Sequence, residues 1–461
     1  MTYHPRIIDT YLQEWAKSQY HKPILLRGAR QVGKSSAVRH LGKSFKNFVE
    51  INFEKNPEYK EIFRQNLDVT RILGQLSLLS QQIIEDNETL LFLDEIQECK
   101  EAIMALRFFK EERPHLHVIA AGSLLEFALN DLPTFGVGRI HSMFMHPMTF
   151  DEYLCANGEQ RLLETKEKAS YSNPLPDILH HKLITHFRNY IIIGGMPEVV
   201  DRWVQTKDYL ACQEIQDDIL SGFEDDFVKY RKNVDPLLLR NTLRSAAVQI
   251  TRKFVYSTVG DNYKIYDVKK AVNLLIMAGL LIPVYKTSAN GIPLGGGIDM
   301  SYMKILVLDP GLTLRLIKMT TGDISNLISH ILSASAAELV NKGPLAEMTA
   351  GLEILYYQNP NLRNEIYYWV KQERNSSAEV DYVISPWGRM LPIEIKSGVQ
   401  GGMKSLWFFM NSKHINLGVR CSLENFGLLT QRNKDNEFEL KKVVICPLYA
   451  ISQIPSLVKE L

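Results

Sequence analysis

The sequence predicts an α/β protein with three parts: a parallel-sheet domain, a helical middle ending in a winged helix, and a second α/β module. Three observations predict it. Short apolar runs alternate with amphipathic stretches from Pro23 to about Phe150, the pattern of strands and helices wound around a parallel sheet. A helical period beginning at Tyr266 runs into strand, glycine-rich turn and strand in IPVYKTSANGIPLGGGIDMSYMKILVLD, the order of a winged helix-turn-helix. Strand-like segments then recur at IYYWV, EVDYVI and LPIEIK. The chain has 461 residues, and at about 150 residues per domain this length suits roughly three domains.

In the first domain, residues 1–154, the expected strands are ILL at 24–26, FVEINF at 48–53, TLLFLD at 89–94 and LHVIAAG at 116–122. A polar stretch from Cys155 to Asp177, with two prolines near its end, reads as a connector, partly helical. It opens a helical lid region, 155–235, interrupted by Gly194, Gly195 and Pro197. The winged helix occupies 236–308. The last module, 309–461, begins helical and then gives strands at 366–370, 379–384 and 391–396.

Composition narrows the function classes. Hydrophobic residues are 45% and charged residues 23% of the chain, and 53 basic against 52 acidic side chains leave a net charge of +1. That balance excludes wholesale disorder and a uniformly basic coat, but not a local basic face. The first 22 residues carry charges throughout and lack the apolar core of a secretory signal, so a cytoplasmic location is expected. No apolar run reaches the length of a membrane span. The five cysteines are odd in number and scattered, without a pair at metal spacing, and read as reduced, buried residues.

The strongest motif is Gly28-Ala29-Arg30-Gln31-Val32-Gly33-Lys34-Ser35, which fits G-x-x-x-x-G-K-[ST] between a strand and a helix that starts near Ser36. Such a loop wraps a triphosphate in backbone N–H groups, and the helix start adds a favourable dipole. Lys34 is placed to reach the β- and γ-phosphates, and Ser35 to bind magnesium. Four apolar residues, Leu90 to Leu93, then run into Asp94 and Glu95, a buried strand with acids at its tip. Asp94 suits the magnesium shell and Glu95 the attacking water. Ser123, after the next strand, reads equally as a γ-phosphate sensor and as the N-cap of a helix starting at Leu124. Arg139, in Gly136-Val137-Gly138-Arg139, reads either as a surface arginine or as a cation offered to a transition state, its own or a neighbouring subunit's.

A second constellation lies near the C-terminal side. Asp381 sits in the strand 379–384, and after a turn at Pro386-Trp387-Gly388 come Glu394 and Lys396, which period two places on one face. An aspartate and a glutamate on adjacent strands share one divalent cation, and a lysine beside them positions water and stabilises phosphate charge. This is the outline of metal-assisted phosphodiester hydrolysis. Glu347 or Glu353 is available from the preceding helix, but they stand six residues apart, about 240° around it, so at most one faces the site. The competing reading is a hairpin with a solvated ladder of Glu379, Asp381, Glu394 and Lys396.

Between residues 229 and 270 there are ten basic and three acidic side chains, while Glu214 to Asp226 carries six acids. Arg252, Lys253, Lys264, Lys269 and Lys270 are the candidate DNA contacts, with Lys269 and Lys270 early in the second helix of the winged helix. A protein-binding winged helix is the alternative.

The segments GARQVGKSS, LLFLDEIQ, AAGSLLEF, GRIHSMFMHPMTFDEYL and GGMPEVV together resemble the bacterial and archaeal AAA-type ATPases that carry a C-terminal DUF4143 region, over nearly the whole chain. The resemblance implies a P-loop NTPase domain, a winged helix and a restriction-endonuclease-like, or PD-(D/E)xK nuclease-like, module. It implies ATP rather than GTP, a preference that the absence of a guanine-reading N-K-x-D string also supports. The expected function is ATP binding and hydrolysis with Mg2+, coupled to DNA recognition; metal-dependent cleavage through a second divalent cation stays open, since a retained nuclease-like fold does not establish retained cleavage. The alternative is a nucleotide-switched signalling or scaffold ATPase whose C-terminal modules bind protein. Self-association stays open.

Overall fold

A computed structural model describes residues 2–123, 125–130, 138–230, 234–321, 343–373, 376–396, 402–432 and 440–461. Leu124, Gly136, Val137, Arg231, Lys232, Ser397 and Gly398, and the side chain of Lys229, lie outside the described residues. The chain forms two compact units, one of Met1–Met148 with Met277–Gly279 and Asn359–Asn364, the other of Thr149–Ile276, Leu280–Gln358 and Glu365–Leu461. No helix among the described residues is long and apolar enough to cross a membrane.

The first unit is built on five parallel strands: β1 (Ile24–Arg27), β2 (Asn47–Asn52), β3 (Thr89–Asp94), β4 (His117–Ala121) and β5 (His141–Phe144), in the order β2-β3-β4-β1-β5. β3 is buried along its whole length, as befits an apolar strand covered on both faces. Leu25, Val49, Ile51, Leu91, Leu93, Val118 and Ala120 alternate onto one face. There they meet Ile72 and Leu76 of the helix Val69–Ser80 and Leu106 and Phe109 of the helix Lys100–Glu112. Four of the five strands follow the expected segments. β5 was not expected, because its four residues, HSMF, are half polar and only Met143 is buried. The order places β4 between β1 and β3, so the loop after β1, the acids ending β3 and the tip of β4 all lie at the C-terminal edge of one sheet.

The second unit opens with helices. Gln160–Glu167 lies inside the expected connector, followed by Asp177–Ile193, Pro197–Thr206, Tyr209–Asp226, Pro236–Val248 and Ile265–Met277. Pro197 begins its helix, where its missing N–H costs nothing. An eight-stranded sheet follows: β6 (Leu281–Thr287), β7 (Ile298–Val307), β8 (Ile366–Glu373), β9 (Ser376–Ile384), β10 (Leu391–Ile395), β11 (Leu417–Ser422), β12 (Gly427–Arg432) and β13 (Leu440–Pro447). Their order is β12-β13-β11-β10-β9-β8-β6-β7.

β6 and β7 form the antiparallel pair expected after the helix that the sequence began at Tyr266, and Lys253 adds a bridge to Lys304 of β7. The other edge of β6 pairs in parallel with β8, so one sheet runs across residue 308, where the sequence had separated two domains. β8, β9 and β10 are antiparallel neighbours. The helix Lys404–Ser412 then crosses over to β11, which lies parallel to β10.

Candidate nucleotide site and a second acidic cluster

The loop after β1 is anchored by apolar side chains and open at its polar ones. Ala29 and Val32 are buried, Arg30, Gly33 and Ser35 are half-buried, and Gln31 and Ser36 are exposed. Gly28 has φ +145°, and a Cβ there would stand 2.1 Å from the carbonyl oxygen of Met145, so only glycine lets the loop pass. Gly33, at φ 97°, precedes the helix Lys34–Gly42. Lys34 is buried, and its Nζ donates to the carbonyls of Gly28 and Ala29 at 2.9 and 2.7 Å. Burial pushes its ammonium down to about 8, against the pull of Glu95 and Asp94 and with the push of Arg30.

Ser35 Oγ donates to both Asp94 oxygens, at 3.0 and 3.1 Å. Burial, and then the charge of Glu95, raise the Asp94 carboxyl, while the Ser35 hydroxyl works the other way. A hydroxyl and a buried carboxylate meeting at a helix start are a donor set that fits Mg2+, which takes one or two protein oxygens and keeps several waters. Glu95 has left-handed backbone, φ 51°. Its Oε2 accepts from Gln97 Nε2 at 2.6 Å and lies 3.5 Å from the Ser123 hydroxyl. The geometry thus gathers Lys34, Ser35, Asp94, Glu95 and Ser123 around one loop.

Arg139 is not gathered with them. It precedes the N-terminal end of β5, five residues and roughly 16 Å of extended chain below the edge that carries the loop. There it is exposed and pairs with Glu111 at 3.2 Å.

Three further residues belong to this site. Arg6 is buried and donates to the carbonyls of Val32 and His146 at 2.9 and 2.7 Å, clamping the loop from the N-terminal segment. Asn52, ending β2, donates to Asp94 at 3.2 Å. Gln97 holds Glu95. Asn52 and Gln97 each flank an acid or its strand tip and were within reach of a closer local reading; Arg6 leaves no local signal.

In the second unit, the register pairs Ile393 with Tyr382, which sets Glu394 and Asp381 as the next neighbours across β10 and β9. Asp381 Oδ2 accepts from the Ile395 N–H at 2.7 Å, and Lys396 Nζ donates to Glu394 Oε1 at 2.5 Å. The other oxygen of Glu394 is buried without a hydrogen-bond partner. Burial and the charge of Asp381 push Glu394 up to about 7.

Of the two helix acids, Glu347 faces this site. Glu353 turns to the opposite side and accepts from the Phe150 N–H at 3.1 Å and the Tyr190 hydroxyl at 3.0 Å. Glu347, Glu379 and Asp381 each offer an oxygen within 4.8 Å of the others. Burial and Asp381 push Glu347 up to about 8. Lys304, unremarked in the sequence, comes from β7 and donates to Glu347 at 2.8 Å and pairs with Glu379.

Arg252, Lys253, Lys264, Lys269 and Lys270 are all exposed, and among the described residues none pairs with a carboxylate. Lys253, Lys269 and Lys270 lie over the rings of Tyr302, Tyr256 and Tyr266 at 3.4, 5.5 and 4.5 Å. Arg240 and Arg244 differ, for both bond Glu224 of the acidic helix, at 2.8 and 3.5 Å.

Comparison with known proteins gives three family matches: an AAA domain at residues 20–154, the domain of unknown function DUF8612 at 184–323 and the domain of unknown function DUF4143 at 342–451. No curated protein matches the sequence. Among solved structures, the Walker-type ATPase PABY2304 of Pyrococcus abyssi is similar at 15% identity and TM-score 0.43, over 68% of this chain and 96% of that one. The Aeropyrum pernix ORC1 protein in complex with DNA is similar at 12% identity and TM-score 0.27, over 70% and 94%. The signal transduction ATPase PH0952 of Pyrococcus horikoshii, with a tetratricopeptide repeat sensor, is similar at 10% identity and TM-score 0.26, over 77% and 49%. The phosphate loop and the acids ending β3 fall within the AAA match, so the chain carries an AAA-type P-loop ATPase domain, and a DUF4143 region follows on its C-terminal side.

Proposed function

We propose that the chain couples ATP hydrolysis to recognition of DNA, in the cytoplasm. In this reading Lys34 and the loop N–H groups hold the triphosphate, and Arg6 keeps the loop in shape. Ser35 and Asp94 hold Mg2+, which when bound neutralises phosphate charge. Glu95 takes a proton from water as its oxygen attacks the γ-phosphorus and the bond to the ADP oxygen breaks. Ser123, beside Glu95, orients that water or senses the γ-phosphate.

The observation that carries the DNA half is the set of five exposed cations, from Arg252 to Lys270, with no carboxylate partner among the described residues, beside a helix followed by an antiparallel wing. Exposed, unpaired cations suit a phosphate backbone, whereas neighbouring arginines already neutralised by Glu224 do not. Coupling predicts different DNA affinities in the two nucleotide states. Fluorescence anisotropy of labelled duplex DNA with Glu95→Gln in ATP and wild type in ADP measures them, and equal affinities sink the coupling.

For the C-terminal module, Asp381, Glu394 and Lys396 are the residues that metal-dependent phosphodiester cleavage would use, Asp381 and Glu394 as ligands of a second cation. The test is strand cleavage of linear and circular DNA by wild type against Asp381→Ala, with Mg2+ or Mn2+. The position of Lys304 favours a second reading, in which the module keeps a nuclease-like fold, binds DNA or protein, and serves a nucleotide-switched scaffold. ATP turnover indifferent to DNA, together with nucleotide-dependent self-association, is its signature.

A further inference from the structure

A buried lysine among carboxylates needs an explanation, since lysines are almost never buried unless paired. Lys304 lies on β7 opposite Val284, with Lys253 bridged to its other side, and its Nζ stands 4.9 Å from the centre of the Tyr368 ring. Its side chain is 3% exposed. It is 2.8 Å from Glu347 and in contact with Glu379, and these two acids and Asp381 each offer an oxygen within 4.8 Å of the others.

A divalent ion joining these oxygens needs them at about 2.0 to 2.6 Å. An ion on the Glu347 and Glu379 carboxylates would share them with the ammonium that already bonds both, and two cations so placed repel each other. The acids therefore have a cation already, supplied by the chain.

We propose that Lys304 is the resident cation of this acidic cluster and excludes a divalent metal from Asp381, the carboxylate that the cluster shares with Glu394, so that the C-terminal module of the native chain does not cleave DNA. The inference bears on the cleavage half of the proposed function. ATP turnover and DNA binding stand apart from it.

The test is Mn2+ titration of the nucleotide-free full chain, followed by the electron paramagnetic resonance signal of the free ion. Wild type and Asp381→Asn should bind the same number of Mn2+ ions. Lys304→Met, with ATP turnover unchanged, should bind one more per chain, at least tenfold more tightly than wild type does at that site, and Lys304→Met/Asp381→Asn should lose it again. A wild-type Mn2+ ion that disappears in Asp381→Asn overturns the proposal, and so does Lys304→Met that is folded by circular dichroism and gains no ion. The comparison of wild type with Asp381→Asn leaves position 304 intact, so it decides the matter even where Lys304→Met fails to fold. Equal DNA affinity in ATP and ADP would defeat the coupling reading and leave these ion counts unchanged.

Discussion

Glu95 is held by two neighbours rather than by solvent: the Gln97 amide at 2.6 Å and the Ser123 hydroxyl at 3.5 Å. Its left-handed backbone turns the carboxylate off the strand axis, toward the tip of β4. Replacing Glu95 by Gln removes the proton acceptor and keeps the shape. Single-turnover hydrolysis should slow by about a hundredfold or more, with nucleotide affinity retained. A subtler change addresses the holder. A Cβ on Gly122 would stand 2.0 Å from the Gln97 side-chain oxygen, so Gly122→Ala should push that amide off Glu95. We expect kcat to fall several-fold with KM for ATP near the wild-type value, and a parallel rise in KM would refute the positional account. Most of this site was legible in the sequence, because the loop, Asp94 and Glu95 are contiguous motifs on a strand and a helix start. Arg6 was not, since it reaches Val32 across 26 residues of sequence and a lone arginine near a terminus carries no pattern.

The helix Gly343–Tyr356 shows what periodicity can and cannot tell. Two acids six apart had to face different ways, and they do; which one faced the C-terminal strands depended on packing that the sequence does not display. Glu353 is buried, and burial together with the charge of Asp151 pushes its carboxyl up to about 8, from an ordinary value of 4.5. The folded chain therefore keeps a proton that the unfolded chain releases. Stability should fall as pH rises from about 4.5 to about 8 and level off above. Glu353→Gln keeps acceptors for Phe150 and Tyr190 and removes the titration. At pH 8.5 it should be more stable by at least about 1.4 kcal/mol, one pKa unit's worth, with a flatter profile between pH 5 and 8. Chemical denaturation across that range measures it, and an unchanged slope would count against the assignment. The strands missed by sequence, β5, β11, β12 and β13, were hidden by one or other of two features. Short length or polar residues such as Arg420, Ser422 and Lys441 interrupt their apolar runs, and those side chains are buried only because neighbouring strands enclose them.

At the scale of the molecule, a near-neutral net charge conceals a division of labour. Glu224 of the acidic helix absorbs Arg240 and Arg244, and the cations from Arg252 to Lys270 are left to solvent. If these meet phosphates, each contact releases counterions and steepens the dependence of affinity on salt. Lys269→Ala/Lys270→Ala should weaken DNA binding at every sequence tested and reduce the slope of log affinity against log salt by about two. A slope unchanged by the double substitution would assign this face to a protein partner.

The hairpin of β6 and β7 carries one more consequence. Neighbouring residues of a strand point to opposite faces, so a slip of one position in the pairing of Val284 with Lys304 would bring Met303 or Ile305 inward and turn the ammonium out. The charge of the acidic cluster is thus written in the length of the segment between Tyr285 and Met303, which holds both the turn and the register shift at Tyr285/Lys286. A single-residue insertion or deletion there acts as a charge mutation at a distance, and related chains that differ in this length need not share the chemistry of the acids they hold in common.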